Sequence, residues 1–401
     1  MPRRIWTVLL MVAALSAPAK PEAASLYSML LVGEAVESGD VRAIALGGST
    51  QLFVDSLGAN QMNPALLARI PRVTIGAAQC IGVDQGRSEA YKERDVSFTF
   101  SSVRIVFPIT GLFRFAIGYS GRYDPDGSFS LRDVTDGGDE FTETYKRSGG
   151  LFSLPFTAAF DVTRYASVGL VFALERGTLE ERWDVVFDGS GFVPGVGLKQ
   201  QDVGGTSYGG GVVLYPAPGV TIGAMYESAI EYDAEVYEKY TQVALDTTYS
   251  AAISLPARMS AGLTWRSGDE FMFLASAARR DFADFEGLGF LPGTMQIEES
   301  YSIGAEYLRG VRVRGARLPL RAGFNFQRFP LEFPEGERVN KYLVSLGTGI
   351  PIRKGKGKVD VALVFGKDGS IASNGLEDRL VRLYIGVAGG EAWKRKGEDH
   401  Y

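Results

Sequence analysis

The sequence has almost none of the residues on which enzymatic and metal chemistry most often depend. Its 401 residues include one Cys and one His, and that histidine is His400, next to the C-terminus. A single Cys allows no intrachain disulfide, and one terminal His excludes a His/Cys metal cluster and a buried Ser-His-Asp or Cys-His triad. A formal net charge of −5 argues against a nucleic-acid partner. We expect a protein that is not an enzyme and that has no cofactor, catalytic residue or metal site.

Long hydrophobic runs are also missing beyond the N-terminus. Two arginines precede an apolar run over residues 5–15, and Ala17-Pro18-Ala19 follows it as a small-residue cleavage site. This order is that of a secretory signal peptide, because a transmembrane anchor needs about 20 apolar residues. We predict a signal peptide over residues 1–24, with cleavage between Ala19 and Ser25. No later run reaches that length, so we expect no membrane-spanning helix.

The rest of the chain alternates apolar residues with polar or small ones. Phe113, Phe115, Ile117 and Tyr119 fall on one face, and the Arg, Ala and Gly between them fall on the other. Such alternation predicts a strand with two different environments. An aromatic-rich apolar face opposite a charged or tiny one is typical of a transmembrane barrel, which closes because unpaired backbone in hydrocarbon is costly. The same pattern recurs in residues 258–265, 301–308, 320–326, 359–366 and 381–387.

The connections between these runs alternate in length. Short turns at residues 108–111, 161–165, 216–219 and 266–269 are followed by long stretches rich in Asp, Glu and Gly at 124–147, 177–202, 231–255 and 281–298. Outer-membrane barrels have short periplasmic turns and long external loops, whereas a soluble sandwich has no reason for that alternation. We therefore predict an all-β fold, a transmembrane antiparallel barrel of about fourteen strands surrounded by the bilayer of the bacterial outer membrane. The long external loops offer a place for a protein partner.

The residues before the first strand have a different pattern. Between residues 25 and 72, apolar residues recur at helix-like spacings, and Asn63-Pro64 has the form of an N-cap followed by Pro at the first helical position. Short helices in this region would plug the lumen. We divide the mature chain into an N-terminal hatch (25–72), the barrel (73–389) and a charged tail (390–401).

Three short motifs resemble one known family. They are Arg42-Ala-Ile-Ala-Leu-Gly-Gly48, Asn63-Pro-Ala-Leu-Leu-Ala68 and Leu255-Pro-Ala-Arg-Met-Ser-Ala-Gly-Leu-Thr-Trp265. The first two resemble the N-terminal signature of the FadL-type (FadL/TodX-like) outer-membrane transport proteins, and the third resembles a late strand segment of that family. The resemblance implies a hatch inside the lumen, with Asn63, Pro64 and Ala65 as its motif. The charged tail after the last strand departs from the family pattern.

The resemblance leaves two functions open. FadL-type proteins pass hydrophobic molecules that enter from the external loops, and rearrangement of the hatch opens a path, often laterally through the wall. It therefore implies passive uptake of a hydrophobic small molecule, of the long-chain fatty acid or aromatic hydrocarbon type. The same N-terminal signature also resembles the PorV-like barrels of a secretion system, which bind a protein partner and pass no lipid. We favour uptake and retain the secretion-accessory barrel as the alternative.

Charged residues on the predicted lumen face are the candidates for contact with a ligand or with the hatch. Cations there would hold the carboxylate of an amphipathic ligand. The other interpretation is pairing with lumen and hatch carboxylates, and we favour it because buried charges are usually paired. The residues concerned are Arg114, Arg258, Arg321, Arg382, Glu306 and Asp360.

Overall fold

A computed structural model describes residues 26–29, 32–48, 63–88, 92–135, 137–189, 191, 193–241, 245–283, 285, 294–313, 315–333, 338–352 and 356–391. The predicted signal peptide and residues 392–401 of the charged tail lie outside this part of the chain. Within it, no helix combines the length and the apolarity needed to cross a membrane.

The predicted fold is confirmed: the chain forms a closed antiparallel β-barrel with fourteen wall strands. The wall closes where the first and last strands pair, with Val73 opposite Glu391. The strands are β1 (Glu34–Ala35), β2 (Val73–Arg87), β3 (Lys92–Pro108), β4 (Phe113–Asp124), β5 (Gly127–Val134), β6 (Glu140–Thr163), β7 (Ala166–Phe187), β8 (Gly195–Ala217), β9 (Val220–Glu227), β10 (Ile230–Tyr240), β11 (Leu245–Leu255), β12 (Arg258–Ser267), β13 (Phe271–Asp281), β14 (Thr294–Met295), β15 (Ile297–Val313), β16 (Ala316–Glu332), β17 (Arg338–Ile352), β18 (Gly357–Ser370) and β19 (Leu376–Glu391).

Four wall strands are interrupted, so that each is formed by two consecutive elements. β4 and β5 are separated at Pro125, β9 and β10 at Ser228, β11 and β12 at Pro256, and β14 and β15 at Gln296. Proline cannot donate to a sheet ladder, which accounts for two of these breaks. β1 belongs to the N-terminal part and pairs with the last two residues of β4, with Glu34 opposite Asp124.

The alternation predicted from the sequence divides the wall into two surfaces. On β12, Met259, Leu263 and Trp265 are 62%, 44% and 52% exposed, and the alternate residues Ser260, Gly262 and Thr264 turn to the lumen. The outer surface is rich in rings, and Trp265 stacks on Phe273 of the neighbouring strand with centroids 5.7 Å apart. An apolar, aromatic exterior around a polar interior is the arrangement that a lipid environment selects.

The prediction of long external loops is wrong for three of the four stretches. Residues 124–147, 177–202 and 231–255 form strand hairpins whose pairing continues almost to their tips. β6 has 24 residues, whereas about 9–11 residues suffice to cross the hydrocarbon. Beyond the lipid the outer face meets water, whereas the inner face stays apolar in part: on β10, buried Ile230, Tyr232, Ala234 and Val236 alternate with exposed acidic residues. The fourth stretch, 281–298, lies partly outside the described residues.

These hairpins together form one sheet, which we call the extension sheet: β5, β6, β7, β8, β10 and β11, paired in that order. Its inner face continues the lumen and holds the largest buried apolar cluster described. Leu151, Leu179, Val203 and Ile253 of this face pack with Phe282 and Phe285, which follow β13. These two side chains therefore point inward, over the lumen.

The N-terminal residues lie inside the barrel. They form a short 3₁₀ helix η1 (Leu26–Met29), the two-residue strand β1, a single-turn helix α1 (Val41–Ile44) and a second 3₁₀ helix η2 (Pro64–Arg69); a further short helix, α2 (Ile371–Asn374), lies between β18 and β19. We call residues 32–48 the first inner segment and residues 63–70 the second inner segment. Both are largely buried against inward-facing wall residues.

Candidate functional site in the barrel lumen

The first inner segment is fixed to the wall by buried ion pairs at two places. At the first, the carboxylate of Glu34 accepts from Arg382 Nη2 at 2.5 Å and Nη1 at 2.9 Å, and it also pairs with Lys341. Arg382 in turn reaches Asp84 at 3.1 Å. Burial alone would raise the pKa of Glu34, but the charges of Arg382 and Lys341 outweigh it and hold that pKa well below the ordinary value.

The second place is a chain of alternating charges across three strands. Arg42 of α1 donates to Glu306 at 2.6 Å, and Arg321 donates to the other oxygen of Glu306 at 2.9 Å. Arg321 also donates to Asp360 at 2.6 Å. Lys358 continues the chain, pairing with Asp360 at 2.6 Å and with Asp40 of the inner segment at 3.4 Å.

The second inner segment is held by close packing and hydrogen bonds. Asn63 is fully buried, and its side chain caps η2 by accepting from Ala65 N at 3.1 Å, as the sequence predicts for an N-cap followed by Pro64. The same side chain donates to the carbonyl of Ala224 on the wall at 3.3 Å. At the other end, Arg114 Nε donates to the Ile70 carbonyl at 2.8 Å.

Glycines on the inward face of the wall receive both segments, and the sequence analysis did not single them out for this. A Cβ at Gly304 would lie 2.5 Å from the Leu46 carbonyl oxygen. At Gly211 it would overlap the side-chain oxygen of Asn63. Alternation along each strand places these glycines on the inward face. A glycine at an inward position marks a place where a second backbone approaches the sheet, so their role could have been predicted from the sequence. Further glycines of this kind are Gly169, Gly323, Gly347 and Gly386.

The six predicted lumen residues have different environments. Arg321, Arg382, Glu306 and Asp360 belong to the ion pairs described above. Arg114 donates to backbone carbonyls of Ile70, Thr110 and Gly111. Arg258 differs from these: it lines a cavity, makes no hydrogen bond or ion pair within the described part of the chain, and interacts at longer range with Glu37 and Glu227.

Two lumen cavities lie on either side of the first inner segment. The first, of about 80 Å³, is lined by apolar groups such as Val32, Leu343 and Phe329 together with the charged Lys341 and Arg382. The inward-pointing Phe282 lies at its boundary. Glu37 also lines this cavity, and burial raises its pKa above the ordinary value.

The second cavity, of about 110 Å³, lies between the first inner segment and the wall formed by β4, β6, β7, β8 and β9. Arg104, Arg122, Arg258, Arg280 and Glu227 give it a strongly polar lining. Arg122 pairs with Glu227 at 2.5 Å and with Glu175 at 2.8 Å.

The backbone pairing of the barrel wall is interrupted beside the second cavity, where Thr99 of β3 still donates to Asp124 of β4 at 3.1 Å; we call this interruption the wall gap. β3 pairs with β4 only from Pro108 to Ser102, whereas its pairing with β2 continues outward to Lys92. Beyond Ser120 the edge of β4 is instead occupied by the first inner segment, because β1 pairs there and Val36 N donates to the Arg122 carbonyl at 2.9 Å. A segment of the N-terminal part therefore completes the inner side of the wall at this gap.

A row of aromatic rings crosses the inner face of the extension sheet above the buried cluster. Phe129, Tyr145 and Trp183 lie on three adjacent strands, with centroids 5.5 Å and 5.1 Å apart. Tyr240 continues the row across Gly197, which leaves room for its ring. All four rings are partly exposed. The mouth of the lumen is thus apolar at its surface.

The fold matches solved structures of hydrophobic-molecule channels. It superimposes with a TM-score of 0.62 on a Pseudomonas aeruginosa FadL homologue, at 15% identity and with 90% of this chain and 99% of that chain covered. The corresponding values are 0.59, 14%, 90% and 100% for the Pseudomonas putida toluene transporter TodX. For the CymD monoaromatic hydrocarbon channel they are 0.57, 16%, 90% and 99%. The protein is therefore an outer-membrane-type β-barrel with the FadL-type fold, as the sequence motifs predict.

The family follows from the sequence as a whole. The BamG family matches residues 1–216 and 219–398, and the chain belongs to that family. No curated protein matches it.

Proposed function

We propose that the protein is a channel in the bacterial outer membrane through which hydrophobic small molecules enter passively, and that its N-terminal residues are the plug. The observation that most supports this is the position of the first inner segment, which separates two lumen cavities and fills the inner side of the wall gap. Movement of that one segment would connect the lumen with the surrounding lipid. No step in this process requires a cofactor or a catalytic group.

The path begins at the aromatic row of the extension sheet. Exposed rings bind apolar molecules from water by removing apolar surface from solvent. Phe282 and Phe285 lie below the row, and the first cavity lies below Phe282. A ligand that displaces Phe282 reaches a chamber lined mainly by apolar groups. From there the gap between β3 and β4 leads to lipid.

The lining of the second cavity indicates which class of ligand the channel would take. Of the predicted lumen cations, Arg258 is the one whose side chain has neither an ion pair nor a hydrogen bond to the described residues, and it faces the space next to the gap. A guanidinium group binds a carboxylate through charge-assisted hydrogen bonds. We therefore favour an amphipathic ligand with an acidic head over a plain hydrocarbon. Mass spectrometry of molecules retained by gently purified protein identifies which of the two is bound.

A disulfide lock tests the channel directly. A Cβ at Gly121 would lie 3.3 Å from the Cβ of Val36, close to the separation that a disulfide requires. In a Cys80→Ser background, V36C/G121C should therefore fix the first inner segment across the gap when oxidised. We expect oxidation to reduce uptake of a fluorescent fatty acid into proteoliposomes at least tenfold, and reduction to restore it.

The matched control places a disulfide far from the lumen. Ser130 and Thr144 lie opposite each other on β5 and β6, with hydroxyl oxygens 2.9 Å apart. Oxidised S130C/T144C should take up ligand at the rate of the reduced form. Equal uptake by oxidised and reduced V36C/G121C would contradict the proposal.

The alternative, a secretion-accessory barrel that binds a protein partner, is favoured by the buried ion pairs. Glu34, Arg42 and Asp40 each pair with wall residues, which would suit a segment that never moves. In that case neither disulfide affects uptake, and a stoichiometric protein co-purifies in mild detergent.

A further inference from the structure

The extension sheet ends at an edge that nothing in the described chain pairs with. β11 is bonded to β10 along its whole length, from Leu245 opposite Tyr240 to Leu255 opposite Ile230. Within the described residues, no backbone hydrogen bond joins its other edge to another segment. Eleven residues of strand extend about 36 Å at the usual rise of about 3.3 Å per residue.

Among the described residues this edge has no partner, because the neighbouring wall strand ends early. β12 pairs with β13 up to Arg258 opposite Arg280, and β13 ends one residue later at Asp281. The chain then folds inward, where Phe282 and Phe285 are buried in the apolar cluster. β12 has β13 as its neighbour on this side. β11, which precedes β12 and is separated from it at Pro256, has no such neighbour among the described residues.

Natural proteins protect such edges with charges, prolines or covering elements, and β11 has few of these devices. Its sequence Leu-Asp-Thr-Thr-Tyr-Ser-Ala-Ala-Ile-Ser-Leu contains one charged residue, Asp246, and no proline or lysine. The opposite edge of the same sheet is better protected. On β5, Arg132 pairs with Glu140 at 2.6 Å and with Asp188 at 2.5 Å, and η1 lies next to that strand.

Three carboxylates lie on the outer face of β10 beside this edge, and the cation of that face, Lys239, lies farther along the strand, opposite Asp246. Glu231, Asp233 and Glu235 all point outward from β10 and are exposed, and Asp202 of β8 lies opposite Glu235. The outward residues of β11 beside them are small, Ser250, Ala252 and Ser254. Long cationic side chains on an added strand could therefore reach across β11 to these carboxylates.

The inner face next to the same edge is apolar. Ala251, Ile253 and Leu255 point inward, and the last two are buried in the cluster with Phe282. A strand added to β11 would alternate between the two faces, because successive side chains point to opposite sides of a sheet. Its recognition sequence is thus basic at one set of alternate positions and apolar at the other.

We propose that the free edge of β11 binds an extended segment of another protein, in which basic and apolar residues alternate, as an additional strand of the extension sheet. Backbone hydrogen bonds supply the affinity and alternate side chains the specificity, as in other cases of strand addition. A second copy of this chain does not fit, because its β11 has no cation and its β10 brings further carboxylates to the same face. This function is independent of the proposed channel.

The test uses synthetic strands of defined chemistry with the full-length protein in detergent micelles. The probe is a fluorescein-labelled Lys-Val-Lys-Val-Thr-Val-Lys-Val-Lys peptide, and the matched control replaces each Lys by Glu. We expect fluorescence anisotropy to show binding of the basic peptide that weakens with salt, and at least tenfold weaker binding of the acidic one. Equal affinities for both peptides would overturn the proposal, as would no binding of either.

Backbone methylation separates strand addition from simple charge attraction. Two versions of the basic peptide bear N-methyl groups on alternate residues, so that each blocks one of its two edges. Strand addition predicts that one version loses binding while the other keeps it. If both versions bind like the parent peptide, the contact is electrostatic only and the proposal fails.

Variants of the protein locate the site. Asp233→Asn together with Glu235→Gln should reduce affinity about tenfold, whereas Glu140→Gln at the protected edge should leave it unchanged. A peptide with Cys at its central position should form a disulfide with Ser250→Cys. It should form none with Thr144→Cys, because Thr144 is on β6, four strands from β11 in the extension sheet. Equal cross-linking at both positions would place the peptide elsewhere and contradict the proposal. Sedimentation of the free protein should show no concentration-dependent dimer through β11.

Discussion

The two inner segments occupy the same lumen and both pack onto wall glycines, but a set of buried ion pairs to the wall is described only for the first. Residues 32–48 are fixed by ion pairs to four wall strands, through Glu34, Asp40 and Arg42. Residues 63–70 are fixed by a buried cap and by backbone packed onto Gly169 and Gly211. Buried ion pairs of the first kind are costly to break unless another charge replaces the lost partner. The second segment has one ion pair, between Arg69 and Asp161 at 3.1 Å, and it is partly exposed.

The difference corresponds to what each segment adjoins. The first inner segment lines both cavities and the wall gap. The second packs against Val106, Ala116 and Ala159 in a small apolar cluster. We infer that the second segment is the anchor and the first is the part that moves when the channel opens. Four changes test this division, and they are taken in order of decreasing effect.

Removal of a buried cation should have the largest effect. Arg382→Met leaves Glu34 and Asp84 buried without their main partner, which typically costs about 3–5 kcal/mol. We expect release of the first inner segment, seen as frequent openings in planar bilayers and as an earlier urea transition. Arg379→Met is the control, since Arg379 is on the same strand but exposed. Unchanged conductance in R382M would mean that this pair does not hold the segment.

Crowding of the second segment should have a smaller effect and should not gate the channel. A Cβ at Gly211 overlaps the Asn63 side chain, and overpacking of this kind costs about 1–3 kcal/mol. Gly211→Ala should lower the urea midpoint with little change in opening frequency. Gly210→Ala, on the outer face of the same strand, meets only ordinary contacts and is the matched control. Frequent openings in G211A would show that the two segments act as one unit.

Loss of the helix cap should cost less again. Asn63→Ala removes the acceptor for Ala65 N and the donor to Ala224, and loss of an N-cap typically costs about 1 kcal/mol. Asn63→Asp keeps the cap and loses the bond to the wall. Urea unfolding should therefore place N63D between the native protein and N63A. Equal stability of N63D and N63A would show that the cap contributes nothing.

The smallest effect expected is a dependence of opening on pH. Glu34 has a lowered pKa, so its stabilising contribution is complete above the ordinary value of 4.5 and is lost only well below it. Glu37 has a pKa raised by burial, so the folded state is favoured while Glu37 is protonated and loses that contribution as pH rises through the raised value. We expect fewer openings at a pH below the raised pKa of Glu37 than at a pH above it. Glu37→Gln should abolish this difference, and a pH dependence that persists in E37Q would exclude Glu37 as its source.

Local patterns in the sequence were sufficient for the wall and for the cap of η2. The alternation around Phe113 and Met259 predicts which residues meet lipid, because each strand must present one face to hydrocarbon. Asn63 before Pro64 predicts a helix start, since the cap is formed within three residues. The same reasoning failed for residues 124–147, 177–202 and 231–255. Part of the signal was present, since Ile230, Tyr232, Ala234 and Val236 alternate with acidic residues, but acidic and glycine-rich composition is shared by strands and loops outside the membrane, and only pairing with a neighbour distinguishes them.

The contacts in the lumen could not be predicted from local sequence patterns. Arg382 could be assigned to the lumen face from its strand parity, but its pairing with Glu34 joins residues 348 positions apart. Gly211 could be placed on the inward face, but nothing near it indicates that Asn63 occupies the space of its missing side chain. Such contacts depend on how the sheet closes into a barrel and on where residues 32–48 and 63–70 lie inside it.

The amino-acid sequence alone was enough to predict that this chain alternates in strand period and closes into a barrel, because these properties depend on neighbouring residues and on the solvent that they meet. Tertiary structure decided which charges cancel, where the pairing of the wall is interrupted and which strand edge has no partner among the described residues. Those properties depend on distances between residues far apart in sequence, and they are fixed only when the sheet has closed around residues 32–48 and 63–70.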